Sequence, residues 1–137
     1  MNFLLDTNAC IALINGKPES VRTRFQKAIA AGATIFVPSI VVFELWYGVA
    51  KSSRLEVNRQ RLETFFTGPL TVLAFDPEDA QVAGSLRAAL EAERKPIGAY
   101  DLLISGQALR QKLTLVTANL YEFSRVQGLS WQDWGKM

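Results

Sequence analysis

The chain has 137 residues, 49% of them hydrophobic, and a net charge of +2 from 15 Lys and Arg against 13 Asp and Glu. That length suits one domain spanning residues 1–137 with a real core, and the composition excludes disorder. With no histidine and a single cysteine, Cys10, the chain cannot build Ser–His–Asp, Cys–His or paired-histidine chemistry, a thiolate zinc site or an intrachain disulfide.

Phe3-Leu4-Leu5 reads as a buried strand that runs straight into Asp6-Thr7-Asn8. Ala9 to Ile14 is a short apolar helix stopped by Asn15-Gly16-Lys17-Pro18. Ser20 opens a second helix, with Val21, Phe25, Ala28 and Ile29 at helical spacing and Gly32 at its end. Thr34 to Val37 is a second strand closed by Pro38, and Ser39 is the expected N-cap of a helix reaching Lys51. A helix over Arg54 to Phe66, with Leu55, Leu62, Phe65 and Phe66 inward, breaks at Gly68-Pro69. Leu70 to Phe75 is a third strand. Asp76-Pro77-Glu78-Asp79 then combines an N-cap acid, a proline at the first helical position and acids in the first turn. The helix it starts runs to Arg94, with Val82, Leu86, Ala89 and Leu90 as its expected inner face. Tyr100 to Gln111 is another helix, and Leu113 to Val116 a fourth strand leading to Thr117-Ala118-Asn119. A helical turn near Tyr121 to Phe123 and an edge strand within Leu129 to Trp134 complete the chain. Strands alternating with helices predict one α/β domain with a parallel sheet covered on both faces. No basic leader and no apolar run of about 20 residues is present, so a cytoplasmic protein is expected, away from membranes.

In such a sheet, ligands bind where loops at the carboxyl ends of the strands meet. Asp6 directly follows a buried strand, where an acid is costly unless it is paired, caps a helix or binds a cation. Glu44 lies inside Ile40-Val41-Val42-Phe43-Glu44-Leu45-Trp46-Tyr47, with apolar residues on every side and no polar stripe to join. Asp101 interrupts Ala99-Tyr100-Asp101-Leu102-Leu103-Ile104 in a helix's first turn, a position that favours a carboxylate in any case. Glu122, three residues after Asn119, is a fourth acid near the same edge or an ordinary surface group. Glu56, Glu63, Glu78, Glu91 and Glu93 lie among basic and amide residues and read as solvated or i,i+4-paired, as in Glu91 with Lys95. Carboxylates gathered at one edge repel one another, and a divalent cation relieves this. A metal held by oxygen alone points to Mg²⁺ or Mn²⁺. Any surface for RNA must be local, since the net charge is small.

Leu5-Asp6-Thr7-Asn8, Phe43-Glu44-Leu45 with Tyr47-Gly48, Pro96 through Ile104, Leu115-Val116-Thr117-Ala118-Asn119 and Glu122-Phe123 occur together, with Arg125-Val126, Gly128-Leu129 and Trp134 after them. In this order the chain resembles the PIN-domain ribonucleases, specifically the VapC-type toxins of bacterial type II toxin–antitoxin modules. The resemblance implies an α/β/α sandwich with a four- to five-stranded parallel sheet and metal-dependent hydrolysis of RNA phosphodiesters. It implies Asp6, Glu44 and Asp101 as the principal metal-holding acids, with Asn119 or Glu122 at the variable fourth position. Thr117 and Asn119, and Thr7 beside Asp6, would orient these groups or the attacking water. It further implies a tRNA substrate, initiator tRNA among close relatives, with arrest of translation. A VapB-type antitoxin that inserts a basic side chain among the acids is implied as well, and a homodimer in which Trp46, Tyr47 and the residues after Gly48 take part. Lys51, Arg54 and Arg87 are the cations considered for phosphate contact.

Two other classes share part of the pattern. A haloacid-dehalogenase-like phosphatase needs a second Asp two residues after the first, where this chain has Asn8. A receiver-like signalling domain needs a Lys after a late strand, where Thr117 and Asn119 stand. A catalytically inactive binding module should have lost an acid, and none of the three is missing.

Overall fold

The computed structural model describes residues 1–136. Five strands form one sheet in the order β3-β2-β1-β4-β5: β1 Phe3–Leu5, β2 Ile35–Pro38, β3 Thr71–Leu73, β4 Thr114–Val116 and β5 Trp131–Gln132. Every pairing is parallel. The connections are helical: α1 Thr7–Asn15, α2 Glu19–Ala30, α3 Ser39–Ala50, α4 Leu55–Phe66, α5 Pro77–Ala92, α6 Ala99–Gln111 and the short α7 Leu120–Phe123. The α/β alternation expected from the sequence is therefore present, with five strands.

The central strands are apolar on both faces. Leu4, Leu5, Ile35, Val37, Leu115 and Val116 are all buried, which parallel strands beneath helices require. Trp134 closes the open end of this core by packing edge-to-face on Phe3, with ring centroids 5.1 Å apart. Helices α1 to α4 pack on one another, and α5 and α6 form a second pair. That pair approaches closely: a Cβ on Gly106 would lie 2.7 Å from the Ala83 Cβ, so only glycine permits this spacing.

The strand order runs outward through β1, β2 and β3, then returns to the other side of β1 for β4 and β5. The reversal between β1 and β4 is a topological switch point, where the following loops diverge and leave a crevice. Asp6 leaves β1 there and Thr117 leaves β4 there.

Several expected details change. Pro38, not Ser39, precedes α3, and the Ser39 hydroxyl instead accepts from the Phe75 N–H at 3.3 Å. Leu55 is exposed rather than inward. The buried side of α5 is Asp79, Ala83 and Leu90, with Leu86 partly packed and Ala89 exposed. Glu91 pairs with Arg87 at 3.0 Å instead of Lys95.

Candidate acidic active site

Asp6 does two things. It is the N-cap of α1, with Oδ1 accepting from the Ala9 N–H at 2.8 Å. Its own N–H donates to the Val116 carbonyl at 3.2 Å, which ties the switch point together. The residue is only 5% exposed. Burial raises its carboxyl above the usual carboxylate range, and the charges of Glu44 and Asp133 add to this. The Thr117 hydroxyl and the Ala9 N–H pull the other way. The capping reading and the functional reading of Asp6 are thus compatible, because one oxygen caps the helix while the group remains in the field of other acids.

Glu44 comes from the second turn of α3. The Thr7 hydroxyl donates to its Oε1 at 2.7 Å, so the first residue of α1 steers an acid 37 positions away. The enclosure by apolar residues expected from the sequence does not occur. Phe43, Trp46 and Tyr47 are exposed and Glu44 is half-buried. An apolar run on a helix can face solvent as well as a core, and sequence pattern alone does not separate the two.

Asp101 stands in the first turn of α6 and faces Glu122 of α7. Burial, then the hydrogen bond and charge of Glu122, then the charges of Asp6 and Glu44 push its carboxyl up to about 7. The Asp101 hydroxyl, when protonated, donates to Glu122 and holds Glu122 below the usual range; the Gly98 N–H, at 2.9 Å from Glu122 Oε1, helps. A proton taken up by the pair therefore goes to Asp101 rather than to Glu122. Asn119 fastens the arrangement: its Nδ2 donates to Asp101 Oδ2 at 3.3 Å, and its backbone N–H donates to the Thr117 hydroxyl at 2.9 Å.

All six residues singled out from the sequence thus lie around one crevice: Asp6, Glu44, Asp101 and Glu122 as mutually repelling acids, Thr117 and Asn119 as their hydrogen-bond partners. Sequence reasoning missed Asp133, which adds its charge to Asp6 from the loop after β5. Its signal is topological: β5 pairs with β4, so the residue just beyond β5 lies beside the end of β4. Among the described residues, no ion pair involves Asp6, Glu44, Asp101 or Glu122. Nor do any three acids there close on a single ion-sized point. The donor set fits a hard divalent cation in kind, since it is all carboxylate and amide oxygen; the one cation that acts on it, Arg125, bears on Glu122 alone and forms no ion pair with it.

The fold and the sequence both have known counterparts. Residues 3–129 match the PIN domain family. A tRNA(fMet)-specific endonuclease VapC of Salmonella typhimurium is 40% identical over 134 residues, 98% of each chain. Ribonuclease VapC2 of Rickettsia felis is 38% identical over 136 residues, 99% of this chain and all of the relative. Among solved structures, VapBC2 from Rickettsia felis bound to a promoter DNA fragment superposes with a TM-score of 0.91 at 37% identity, covering 98% and 99% of the two chains. VapBC-1 from nontypeable Haemophilus influenzae gives 0.87 at 30% identity, covering 99% and 100%. These matches leave no room for the phosphatase or receiver readings: the chain belongs to the PIN-domain family, in its VapC branch.

Proposed function

We propose that the protein is an endoribonuclease toxin that hydrolyses RNA phosphodiesters with a divalent cation, Mg²⁺ or Mn²⁺, held by Asp6, Glu44 and Asp101. The observation that carries this is a set of four carboxylates at a switch-point crevice with no cationic side chain paired to any of them. Left alone, such a set costs stability, and a proton on Asp101 relieves only part of the repulsion. When bound, the ion supplies charge neutralisation for the phosphate and a lowered pKa for the attacking water.

The chain's own groups supply orientation. Thr7 fixes the Glu44 carboxylate and Asn119 fixes Asp101, so neither acid is free to rotate away from the crevice. Thr117, buried beneath Asp6, sets the loop that carries Asn119. In the ion-free protein Asp101 is pushed up to about 7, and a bound cation would displace its proton and hold it as the carboxylate.

The substrate is RNA, with tRNA the favoured class, because close relatives are named tRNA(fMet)-specific endonucleases. The partner is a VapB-type antitoxin, as in the solved VapBC assemblies. An acidic crevice in which Asp6, Glu44 and Asp101 have no cationic partner suits a basic side chain from such a partner. A homodimer using Trp46 and Tyr47, exposed on α3, completes the reading. The protein acts in the cytoplasm. No helix among the described residues is long and apolar enough to cross a membrane.

The test is to express the chain alone and as Asp101→Asn, and to assay the purified proteins on RNA with and without Mg²⁺ or Mn²⁺. The parent should arrest growth and cut RNA only with the cation. The variant should lose about a thousandfold in rate, several kcal/mol of transition-state stabilisation. Equal cutting by both would remove Asp101 from the chemistry.

A further inference from the structure

Among the described residues, Arg59, Arg87 and Arg110 form ion pairs and no other Lys or Arg does. Two of the unpaired guanidiniums meet at the end of α1, and both are exposed. Arg22 donates from Nε to the Leu13 carbonyl at 2.9 Å and from Nη2 to the Ile14 carbonyl at 3.1 Å. Arg61 donates from Nη2 to Asn15 Oδ1 at 2.8 Å and, at 3.5 Å, to the same Ile14 carbonyl. Gly16 makes room for this, since a Cβ there would lie 2.7 Å from Arg22 Nη1. A helix C-terminus carries about half a negative charge, so two guanidiniums leave roughly one and a half positive charges uncompensated.

The other end of α1 touches the crevice, where the Thr7 hydroxyl donates to Glu44. Thr7, Ile11 and Asn15 recur at four-residue spacing and so share one face of the helix, about 12 Å from end to end. Glu44, Ile11, Asn15 and Arg61 line one cavity of about 260 Å³, the rest of whose lining is mostly apolar. One side of α1 thus leads from an acid of the crevice to the paired arginines.

We propose that Arg22 and Arg61 bind a backbone phosphate of the RNA strand, a few nucleotides from the linkage cut at the crevice, and so hold the strand along this side of α1. The inference rests on the nuclease reading and adds how the substrate is held away from the reacting phosphate. The crevice acids repel a polyanion, and a divalent ion there neutralises only the linkage at the cut, so flanking phosphates need cations elsewhere. Arg87, considered above for that role, is held by Glu91. Arg61 Nε and Nη1 and Arg22 Nη1 have no hydrogen-bond partner among the described residues, and guanidinium donors match phosphate oxygens. Helix α2 adds Arg24 and Lys27 against Glu19 as its one acid, so its charge favours the strand as well. A phosphate contact carries no base information, so it fixes the register of the strand without choosing its sequence.

The test uses the full chain, its Arg61→Gln, Arg61→Lys and Arg22→Gln variants, and one single-stranded oligoribonucleotide with Mg²⁺ or Mn²⁺. Arg61→Gln should raise KM about fivefold with kcat little changed. It should also flatten the slope of log kcat/KM against log salt by about 0.7, the share of one single-strand phosphate. Arg61→Lys should recover that slope, and Arg61→Gln should melt with the parent. Replacing one linkage at a time by a neutral methylphosphonate locates the contact. At one linkage away from the cut, the parent should fall to the level of Arg61→Gln, and the variant should lose nothing more. Parent KM and salt slope in both glutamine variants would overturn the phosphate site while leaving the nuclease reading intact; a weakened antitoxin complex in those variants would then assign the arginines to the protein partner. A raised KM with an unchanged salt slope would confine the arginines to capping α1 and overturn it too. A parent that cuts no RNA with either ion would sink the nuclease reading and this inference with it.

Discussion

Asp76, Glu78 and Asp79 at the start of α5 gather around one guanidinium, that of Arg110 at the end of α6. Asp6, Glu44, Asp101 and Glu122 form no ion pair among the described residues, and the one cation that acts on them, Arg125, reaches Glu122 only. In the first group, Asp79 is fully buried yet satisfied: its Oδ1 accepts from Arg110 Nε at 2.8 Å, and it exchanges capping-box hydrogen bonds with Asp76. The Asp79 N–H, aided by Arg110, holds the Asp76 carboxyl below its usual range. In the second group, burial and like charge push Asp6 and Asp101 upward instead. Both groups are acid-rich and partly buried, so neither burial nor the number of acids distinguishes a structural cluster from a reactive one. The presence of an internal cation does.

Removing the cation from the structural cluster should separate the two most widely. Arg110→Met leaves Asp79 buried and unpaired, and should lower the thermal unfolding midpoint by on the order of 10 °C. The rate per folded molecule should not change. Asp101→Asn should do the opposite, abolishing cleavage while leaving the midpoint unchanged or higher. Scanning calorimetry beside the RNA assay reads both. An Arg110→Met protein that is stable but inactive would mean that the two clusters are coupled, and the contrast would fail.

Adding a cation to the reactive cluster makes the complementary change. Asn119→Lys places an ammonium where Nδ2 now meets Asp101. It should raise the midpoint of the ion-free protein and cut the rate about a hundredfold, both through lost orientation of Asp101 and through competition with the divalent ion. If the rate survives, Asn119 is not a positioning residue.

The sequence made the strand–helix alternation legible because strands apolar on both faces and helices with periodic apolar positions are local signals. Asp6, Glu44 and Asp101 were legible for a related reason: each interrupts an apolar stretch. What was not legible depended on contacts far apart in the chain. The burial of Asp79 requires Arg110, 31 positions later. Ser39 is drawn from a capping role by the Phe75 N–H, 36 positions on. The setting of Glu44 was misread because Phe43, Trp46 and Tyr47 look like core residues when only their composition is known. Asp133 carries no local signal, and its place beside Asp6 exists only once β5 has paired with β4.

The smallest effect tests the electrostatics directly. Asp101 is raised to about 7 in the folded protein, mainly by burial and next by Glu122. In the unfolded chain it titrates as an ordinary aspartate near 3.9. Between about pH 4 and about pH 7 the folded state therefore keeps a proton that the unfolded state has lost, and stability falls as pH rises through that window. Glu122 shifts the other way, so its contribution changes below the ordinary glutamate range and does not mask this window. Because Asp101 is partly exposed, solvent screening reduces the fall to about 1 kcal/mol between pH 5 and pH 7.5. Urea midpoints of the ion-free protein should decline across that interval, and those of Asp101→Asn should decline much less, by the part that Asp6 contributes. Mg²⁺ should reverse the decline in the parent alone, since the ion takes the place of the proton. An equal decline in Asp101→Asn would move the uncompensated charge to Asp6, whose carboxyl is also raised by burial and by Glu44. The reactive cluster would still lack its cation, but its proton would lie at the other end of the crevice.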